Sequence, residues 1–203
     1  WRLDEGLGTK AYNSAGYKSG TLDGTTYTWQ PTEGMGGGIY LGRNDRVVMP
    51  AIDIGSDWTV MGWVKPDTQP EILWARLFVS RHTDGFYVGL NNTNPQKWSI
   101  LVNLSYGGKS YNGPVYTPNV WQHVACTYDS ATLTATLYVN GAGNSVGSCA
   151  APNSPNLPIY IGTDRLSNSP AVRGIYDDFA IYDRALTSSE IDSIYQEGLA
   201  GKA

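Results

Sequence analysis

The chain has little charge and few residues that perform acid–base or metal chemistry. Of its 203 residues, 16% are Asp, Glu, Lys or Arg, two are cysteine and two are histidine. The formal net charge of −4 creates no basic field, so we expect no nucleic-acid partner. No apolar run approaches the roughly 20 residues that span a bilayer, so we expect no membrane partner either.

The histidines and acidic residues do not form a recognisable catalytic pattern. A Ser-His-Asp triad needs His82 or His123 beside an acid and a nucleophile, and the Gly-x-Ser-x-Gly elbow is absent. We expect a structural role for His123, which lies in a strand pattern, and a solvated one for His82, at a predicted hairpin tip. Asp177 and Asp178 are adjacent in a strand pattern and point to opposite faces, so they cannot act together on one glycosidic bond. We therefore expect a protein that is not an enzyme.

Glycine, tyrosine and tryptophan are abundant instead, with 24, 14 and 7 copies. This composition suits many short strands joined by tight turns. Helix and strand patterns do not alternate along the chain, which excludes a doubly wound architecture. The sequence therefore predicts one all-β domain over residues 1–203, an antiparallel two-sheet β-sandwich (a jelly roll) with one short C-terminal helix. Residues 58–64 alternate with bulk on both faces, which predicts a central strand covered on both sides.

The stretch 173–186 predicts a long strand near the C-terminus. Along this strand, Ile175, Asp177, Phe179 and Ile181 are expected to share one face, which is apolar except for Asp177. A carboxylate on that face needs a partner or a metal, because an unpaired buried charge is costly.

A helix is predicted directly after that strand. Thr187 and Glu190 have the spacing of a capping box, which starts a helix. Ile191, Ile194 and Tyr195 then fall on one helical face, and Gly198 is a stop signal.

The same C-terminal region resembles a known family. Its pattern Gly-x-x-Asp-Asp-x-x-Ile-Tyr-Asp-Arg-Ala-Leu-Thr-x-x-Glu-Ile is similar to the C-terminal signature of laminin-G-like domains of the concanavalin A type. Residues 58–66, 121–125, 137–141 and 157–162 agree with that family in the same order. The resemblance implies the jelly-roll fold. Because the chain opens abruptly on Trp1, we expect it to be a piece of a longer protein. Glucanases of this fold carry Glu-x-Asp-x-x-Glu, and its lyases carry Arg/Gln/His/Tyr strand motifs; neither pattern occurs here.

The two cysteines leave two alternatives. Cys126 lies in a strand pattern and Cys149 follows the next hairpin, so we predict a disulfide that pins this hairpin to its neighbour. Such a bridge stabilises a fold by ~3 kcal/mol in the chain-entropy model, and it would indicate an exported protein. The alternative is two free thiols. A zinc site is excluded, because two cysteines without a nearby histidine pair cannot hold one.

Aromatic residues in irregular, Gly- and Asn-rich stretches are the candidates for ligand binding. Sugar rings stack their C–H faces on exposed aromatic rings, while polar side chains bind the hydroxyls. The aromatic residues of the family-like strands are expected in the core: Trp58, Trp63, Trp121 and Tyr138. The candidate platform consists of Trp74, Trp98, Tyr106, Tyr111 and Tyr116. Near them in sequence are side chains that could bind hydroxyls, or the carboxylate or sulfate of an acidic glycan: Arg76, Arg81, Asn103 and Arg165.

The resemblance also implies a structural calcium ion, because many laminin-G-like sandwiches hold one. Calcium prefers carboxylate, amide and main-chain oxygens. The candidate donors are Asn13, the carbonyls of Ser14 and Gly16, and Asp177 or Asp178. Family members often have Asp where Asn13 stands, so one charge is missing here. Without calcium, Asp177 must be neutralised by an arginine or by main-chain N–H groups.

These observations favour a non-catalytic carbohydrate-binding module that holds a larger extracellular protein on a polysaccharide. We expect the module to be a monomer within that chain. The alternative is a protein-interaction or adhesion module, because laminin-G-like domains also bind proteins. A glycan-active hydrolase or lyase is the third hypothesis.

Overall fold

The computed structural model describes residues 1–16, 18–31, 37–69, 74–80, 85–102, 109–149, 158–163 and 170–202. Within these ranges, fifteen strands form two antiparallel sheets, and one helix follows the last strand. The predicted two-sheet sandwich with a C-terminal helix is confirmed. No helix in the described part of the chain combines the length and the apolar character needed to cross a membrane.

Each sheet interleaves strands from distant parts of the chain. The eight-stranded sheet has the spatial order β1 (Lys10–Ala11), β2 (Gly20–Asp23), β5 (Arg46–Val48), β14 (Ile159–Gly162), β7 (Ala75–Ser80), β8 (Phe86–Leu90), β9 (Lys97–Val102) and β10 (Lys109–Val115). The seven-stranded sheet has the order β13 (Ala142–Ser148), β12 (Thr134–Val139), β11 (Gln122–Asp129), β6 (Trp58–Pro66), β15 (Gly174–Tyr182), β4 (Gly38–Leu41) and β3 (Thr28–Gln30).

The main core fills the space between the two sheets. Strand β6 lies between β11 and β15 and is buried along almost its whole length, as the two-sided bulk of residues 58–64 predicts. Trp58 stacks on Phe86 of the opposite sheet at 4.4 Å between ring centroids, and on Tyr128 at 5.7 Å. Such contacts bind the layers to each other, so each sheet presents its outer face on a rigid support.

Strand β15 contains a bulge that moves its side chains between faces. Its register with β6 shifts after Asp177, and Asp178 has a φ of 47°. Tyr176 and Phe179 therefore both lie in the main core, and Asp177 lies on the outer face. The prediction that the odd-numbered residues of 175–181 share one face is wrong, because the extra residue breaks the alternation.

Helix α1 (Ser188–Lys202) begins where the capping box predicts. Glu190 Oε2 accepts the N–H of Thr187 at 2.8 Å, and Thr187 Oγ1 accepts the N–H of Glu190 at 3.3 Å. Arg184 donates to both carboxylate oxygens of Glu190, at 2.6 and 3.0 Å. The arginine is the main reason that the pKa of Glu190 falls to about 2.

The helix packs across the outer face of the seven-stranded sheet. As predicted, its apolar residues share one face: Ile191 is fully buried in a cluster with Met61 and Tyr138, and Ile194 packs against that cluster. The predicted stop at Gly198 is wrong. The helix runs past this glycine and approaches the sheet so closely there that an added Cβ would lie 2.6 Å from Nε1 of the Trp63 indole.

The two cysteines are buried thiols in this structure. Cys126 is 0% exposed and Cys149 is 4% exposed, and neither is in a disulfide. The predicted bridge is therefore not formed here. Burial, and to a smaller extent the neighbouring Cys149, raise the pKa of the Cys126 thiol.

Candidate ligand-binding face

The outer face of the eight-stranded sheet carries a continuous row of side chains. One residue of each strand pairs with one residue of the next across the whole sheet. We call this set the outer row; from β10 to β1 it consists of Ser110, Leu101, Tyr87, Val79, Tyr160, Val48, Thr21 and Lys10. The row changes character along its length, from buried and apolar at its centre to exposed and polar at Thr21 and Lys10.

The centre of the outer row is a small apolar cluster, separate from the main core. Val79, Tyr87 and Leu101 are at most 6% exposed and pack together. Trp74 and Tyr160 pack against this cluster and remain partly exposed. Trp74 meets the edge of Tyr87 at 5.9 Å and 81°. The result is a pair of aromatic rings held on a rigid apolar floor, which is the arrangement that saccharide stacking needs.

Arg76 reaches this face because β7 is bulged. The register between β7 and β8 shifts between Arg76 and Phe78, so both Leu77 and Phe78 enter the main core while Arg76 points outward. Opposite the bulge stands Gly89, where an added Cβ would lie 1.9 Å from the main-chain oxygen of Ala75. Only glycine allows the bulged strand this close.

The guanidinium of Arg76 lies over the ring of Tyr87, 3.7 Å from its centroid. Both residues are almost fully buried, at 3% and 2% exposure. Burial raises the pKa of Tyr87 to about 12, and the charge of Arg76 offsets this only in part. The phenol therefore stays protonated at neutral pH. The Arg76 side chain is part of the buried layer beneath the exposed rings and not of the exposed surface.

A second arginine continues the pattern nearer to β1. Arg46 lies over the ring of Tyr160, 5.2 Å from its centroid. Its Nε and Nη2 donate to Oδ2 of Asp23 at 3.0 and 2.7 Å. Neither Tyr87 nor this group of three residues was predicted from the sequence, although the alternation of β2, β5 and β14 places Asp23, Arg46 and Tyr160 on one face.

The structure places the sequence candidates in different parts of the molecule. Trp74 and Arg76 both contact Tyr87 on the outer face, where Trp74 is partly exposed and Arg76 is buried. Trp98 is 0% exposed in the main core and donates its Nε1–H to Gln122 at 2.9 Å, so the prediction that it belongs to an exposed platform is wrong. Alternation explains the error, because Trp98 has the inward phase of β9 and Ser99 the outward one.

Two further tyrosines lie away from the candidate face. Tyr111 and Tyr116 are partly buried against the main core, and the hydroxyl of Tyr116 accepts the N–H of Gln69 at 3.1 Å. Their rings therefore do not join the platform formed by Trp74 and Tyr160. The remaining candidates lie outside the described residues: Arg81, Asn103, Tyr106 and Arg165.

The predicted calcium donors are not brought together as a set. Asn13 and Gly16 line a groove of about 580 Å³ together with Asp53 and Asp183, and Asp177 and Asp178 are not part of that lining. Oδ1 of Asp177 instead accepts the N–H of Asp178 at 2.8 Å. Among the residues that the structure describes, no three His, Cys, Asp or Glu side chains are grouped to hold a metal ion.

A two-sheet antiparallel jelly roll is the architecture of the concanavalin A-like fold. The chain belongs to the concanavalin A-like lectin/glucanases superfamily, whose Laminin G 3 family model matches residues 36–192. A search among curated proteins finds no match.

Solved structures with the same fold include binding domains of two kinds. Domain 4 of AbnA, a GH43 extracellular arabinanase from Geobacillus stearothermophilus solved with arabinotriose, has a TM-score of 0.72 at 20% identity, over 90% of this chain and 91% of that one. Botulinum neurotoxin type C, whose cell entry depends on two ganglioside molecules, has a TM-score of 0.69 at 13% identity. The binding domain of botulinum neurotoxin DC, solved with rat synaptotagmin II, has 0.69 at 12%.

The two kinds differ in how much of their length is matched. The match to each toxin includes 96% of this chain and 52% of the toxin chain, so this chain spans about half the length of those proteins. The TM-scores establish the fold that the sequence predicted, whereas the low identities give no information on which ligand this chain binds.

Proposed function

We propose that this domain is a non-catalytic carbohydrate-binding module of an extracellular protein, and that it binds a saccharide on the outer face of the eight-stranded sheet. The observation that carries the proposal is the pair of partly exposed rings, Trp74 and Tyr160, fixed on a buried apolar floor. The arabinotriose complex of the arabinanase domain supports it, because a domain of similar size and fold holds a short saccharide.

We further propose that the saccharide is neutral. Arg46 is paired with Asp23 at hydrogen-bond distance, so this part of the face offers donors and acceptors with little net charge. Arg76 is 3% exposed and stacked on Tyr87, so its charge contributes to the floor rather than to the exposed surface. Hydroxyl groups suit such mixed partners better than a carboxylate or sulfate does.

The same contacts argue against catalysis on this face. Beside the outer row, the neighbouring outward positions include Asn112, Ser99, Arg76, Arg46 and Asp23. Among these described residues and those of the outer row, Asp23 is the one carboxylate, and it is held by Arg46. Glycoside hydrolysis uses two carboxyl groups on either side of the bond. No contact described on this face favours the protein-interaction alternative over saccharide binding. That alternative is favoured if none of the saccharides binds.

The test is affinity gel electrophoresis and calorimetry with arabinan, xylan, β-glucan and polygalacturonate. We expect a neutral polysaccharide to bind with a Kd of ~1 mM to ~1 µM. Trp74→Ala and Tyr160→Ala should each weaken binding about tenfold, which corresponds to roughly 1.4 kcal/mol. Tyr12→Ala is the matched control, because Tyr12 is 61% exposed and lies outside the outer row. Equal binding by all three variants, or binding by none of the polysaccharides, contradicts the proposal.

Calcium is a separate proposal, and the groove is a better place for it than Asp177 and Asp178. Asn13, Asp53 and Asp183 supply the hard oxygen donors that calcium prefers. A bound ion there would tie the N-terminal segment to the end of β15. Isothermal titration with CaCl₂ tests this: Asn13→Asp should tighten binding, since it adds a carboxylate, and Asp53→Asn should weaken it. Absence of binding heat with both the unmodified protein and the Asn13→Asp variant contradicts the proposal.

Export is the third part of the proposal. A disulfide between the two buried cysteines would fit an oxidising compartment. Alkylation and intact-mass measurement of protein made in an oxidising compartment should find the two thiols protected until a reductant is added. Full alkylation of the unfolded, unreduced protein contradicts the bridge.

A further inference from the structure

Helix α1 covers the outer face of the seven-stranded sheet through an aromatic stack. Tyr195 of the helix stacks on Trp63 of β6 at 5.8 Å and 25° between ring planes. His123 of β11 lies beside these two rings, with its ring centroid 5.4 Å from that of Trp63 and 6.3 Å from that of Tyr195. The imidazole is thus part of the contact that docks the helix.

His123 is held rigidly in this position. Its main-chain N–H donates to Oδ1 of Asn140 at 2.9 Å, and its carbonyl accepts the N–H of Asn140 at 2.8 Å. The residue is 1% exposed, and its Nδ1 is buried with no hydrogen-bond partner among the residues that the structure describes. A buried polar atom without a partner is uncommon and costs free energy, so it calls for an explanation.

The surroundings of His123 favour its neutral form. Burial lowers the pKa of His123 to about 4. The titratable groups on the elements around it are Tyr195 and Asp192 of α1, Lys65 of β6, Tyr138 of β12, and Asp177 of β15 on the far side of Trp63. Neither carboxylate prevents the shift, so a proton on this imidazole would be a poorly solvated charge beneath the helix.

We propose that α1 is a pH-sensitive latch: protonation of His123 in mildly acidic solution releases the helix from the seven-stranded sheet while the sandwich stays folded. When α1 leaves, His123 gains water and titrates near its ordinary value of 6.5. The helix-free state therefore takes up the proton more readily than the docked state. Between pH 7 and pH 4 this favours release by about 100-fold, and the full factor of about 300 is reached below pH 4, since each unit between the two pKa values contributes a factor of ten.

Release would expose a surface that α1 now covers. Met61, Ala125 and Tyr138 form the sheet side of that contact, and Ile191 the helix side. The sandwich core between the sheets is separate from this cluster, so it does not depend on the helix. The latch therefore acts on one face only.

The test combines a titration with hydrogen exchange. The sequence has two histidines, so His82→Gln leaves one imidazole resonance to follow by NMR. We expect His123 to stay neutral to well below pH 6. Exchange of the α1 amides, corrected for the intrinsic pH dependence, should speed up at least tenfold between pH 7 and pH 4.5, while β6 and β11 stay protected.

The His123→Gln variant distinguishes release of α1 by protonation of His123 from acid denaturation of the whole domain. The variant cannot gain the proton, so its α1 amides should keep the same protection at both pH values. The proposal is overturned if His123 titrates near 6.5 with α1 still docked, if α1 opens equally in the Gln variant, or if all strands open together. Should the Gln variant fail to fold, the titration and the exchange of the His82→Gln protein decide alone.

Discussion

The outer faces of the two sheets carry similar side chains, but only one of the two faces is covered by a helix. Each has aromatic rings beside a basic side chain: Trp74 and Tyr87 with Arg76 on one, Trp63 and Tyr195 with His123 on the other. On the seven-stranded sheet a helix covers the rings, whereas on the eight-stranded sheet Trp74 and Tyr160 stay partly exposed. Aromatic content therefore does not identify a binding face; what lies over the rings does.

The largest expected effect is a loss of stability when the apolar contact between α1 and the seven-stranded sheet is truncated. Ile191→Ala removes a fully buried side chain and should lower the free energy of unfolding by ~2–5 kcal/mol. Urea denaturation followed by circular dichroism measures it. Ile175→Ala, at a half-buried position of β15, is the control and should cost about 1 kcal/mol or less. Saccharide affinity of the folded Ile191→Ala protein should be unchanged, and a loss would mean that the two faces are coupled.

The next effect is the pH dependence of stability from His123. Because the folded state depresses the pKa to about 4, the neutral ring favours folding fully above pH 6.5. Most of this stability is lost as the pH falls from 6.5 to 4 and the small remainder within about one unit below 4, for a total of roughly 3 kcal/mol. Denaturation curves at pH 7, 5.5 and 4 measure the change, and His123→Gln should flatten this part of it. An unchanged slope in the variant would assign the effect to other groups.

A matched pair of tyrosines compares the faces directly. Tyr195→Ala should destabilise the protein by ~1–2 kcal/mol through the lost stack and leave saccharide binding intact. Tyr160→Ala should do the reverse, with a Kd about tenfold higher and little change in stability. Calorimetry and urea denaturation on both proteins give the four values. If the two substitutions behave alike, the faces are not functionally distinct.

The smallest expected effect is a change of ligand preference. Asp23→Asn removes the carboxylate that neutralises Arg46, so the face gains positive charge. Binding of a neutral saccharide should weaken by about two- to fivefold, and retention on polygalacturonate should increase. The pair is partly exposed, so added salt should reduce the second change. Preference that stays the same would remove Arg46 from the site.

These contrasts also mark how far the sequence determines the site. Alternation and turn residues predict the sandwich, the central position of β6 and the capping box of α1. They fail in β15, because a bulge after Asp177 reverses the alternation, and a bulge has no strong sequence signal. Alternation separates the two faces of a strand without telling which one points to the core. Trp98 was therefore placed outside, and Tyr87 and Tyr160 were overlooked.

The position of α1 also determines how the domain can be tethered. The helix ends the described chain on the outer face of the seven-stranded sheet, and the proposed saccharide face is on the opposite side of the sandwich. A surface or fusion partner attached beyond Lys202 would therefore leave the aromatic platform pointing away from the point of attachment. Immobilisation through the C-terminal end is accordingly the orientation in which the full binding capacity should be retained.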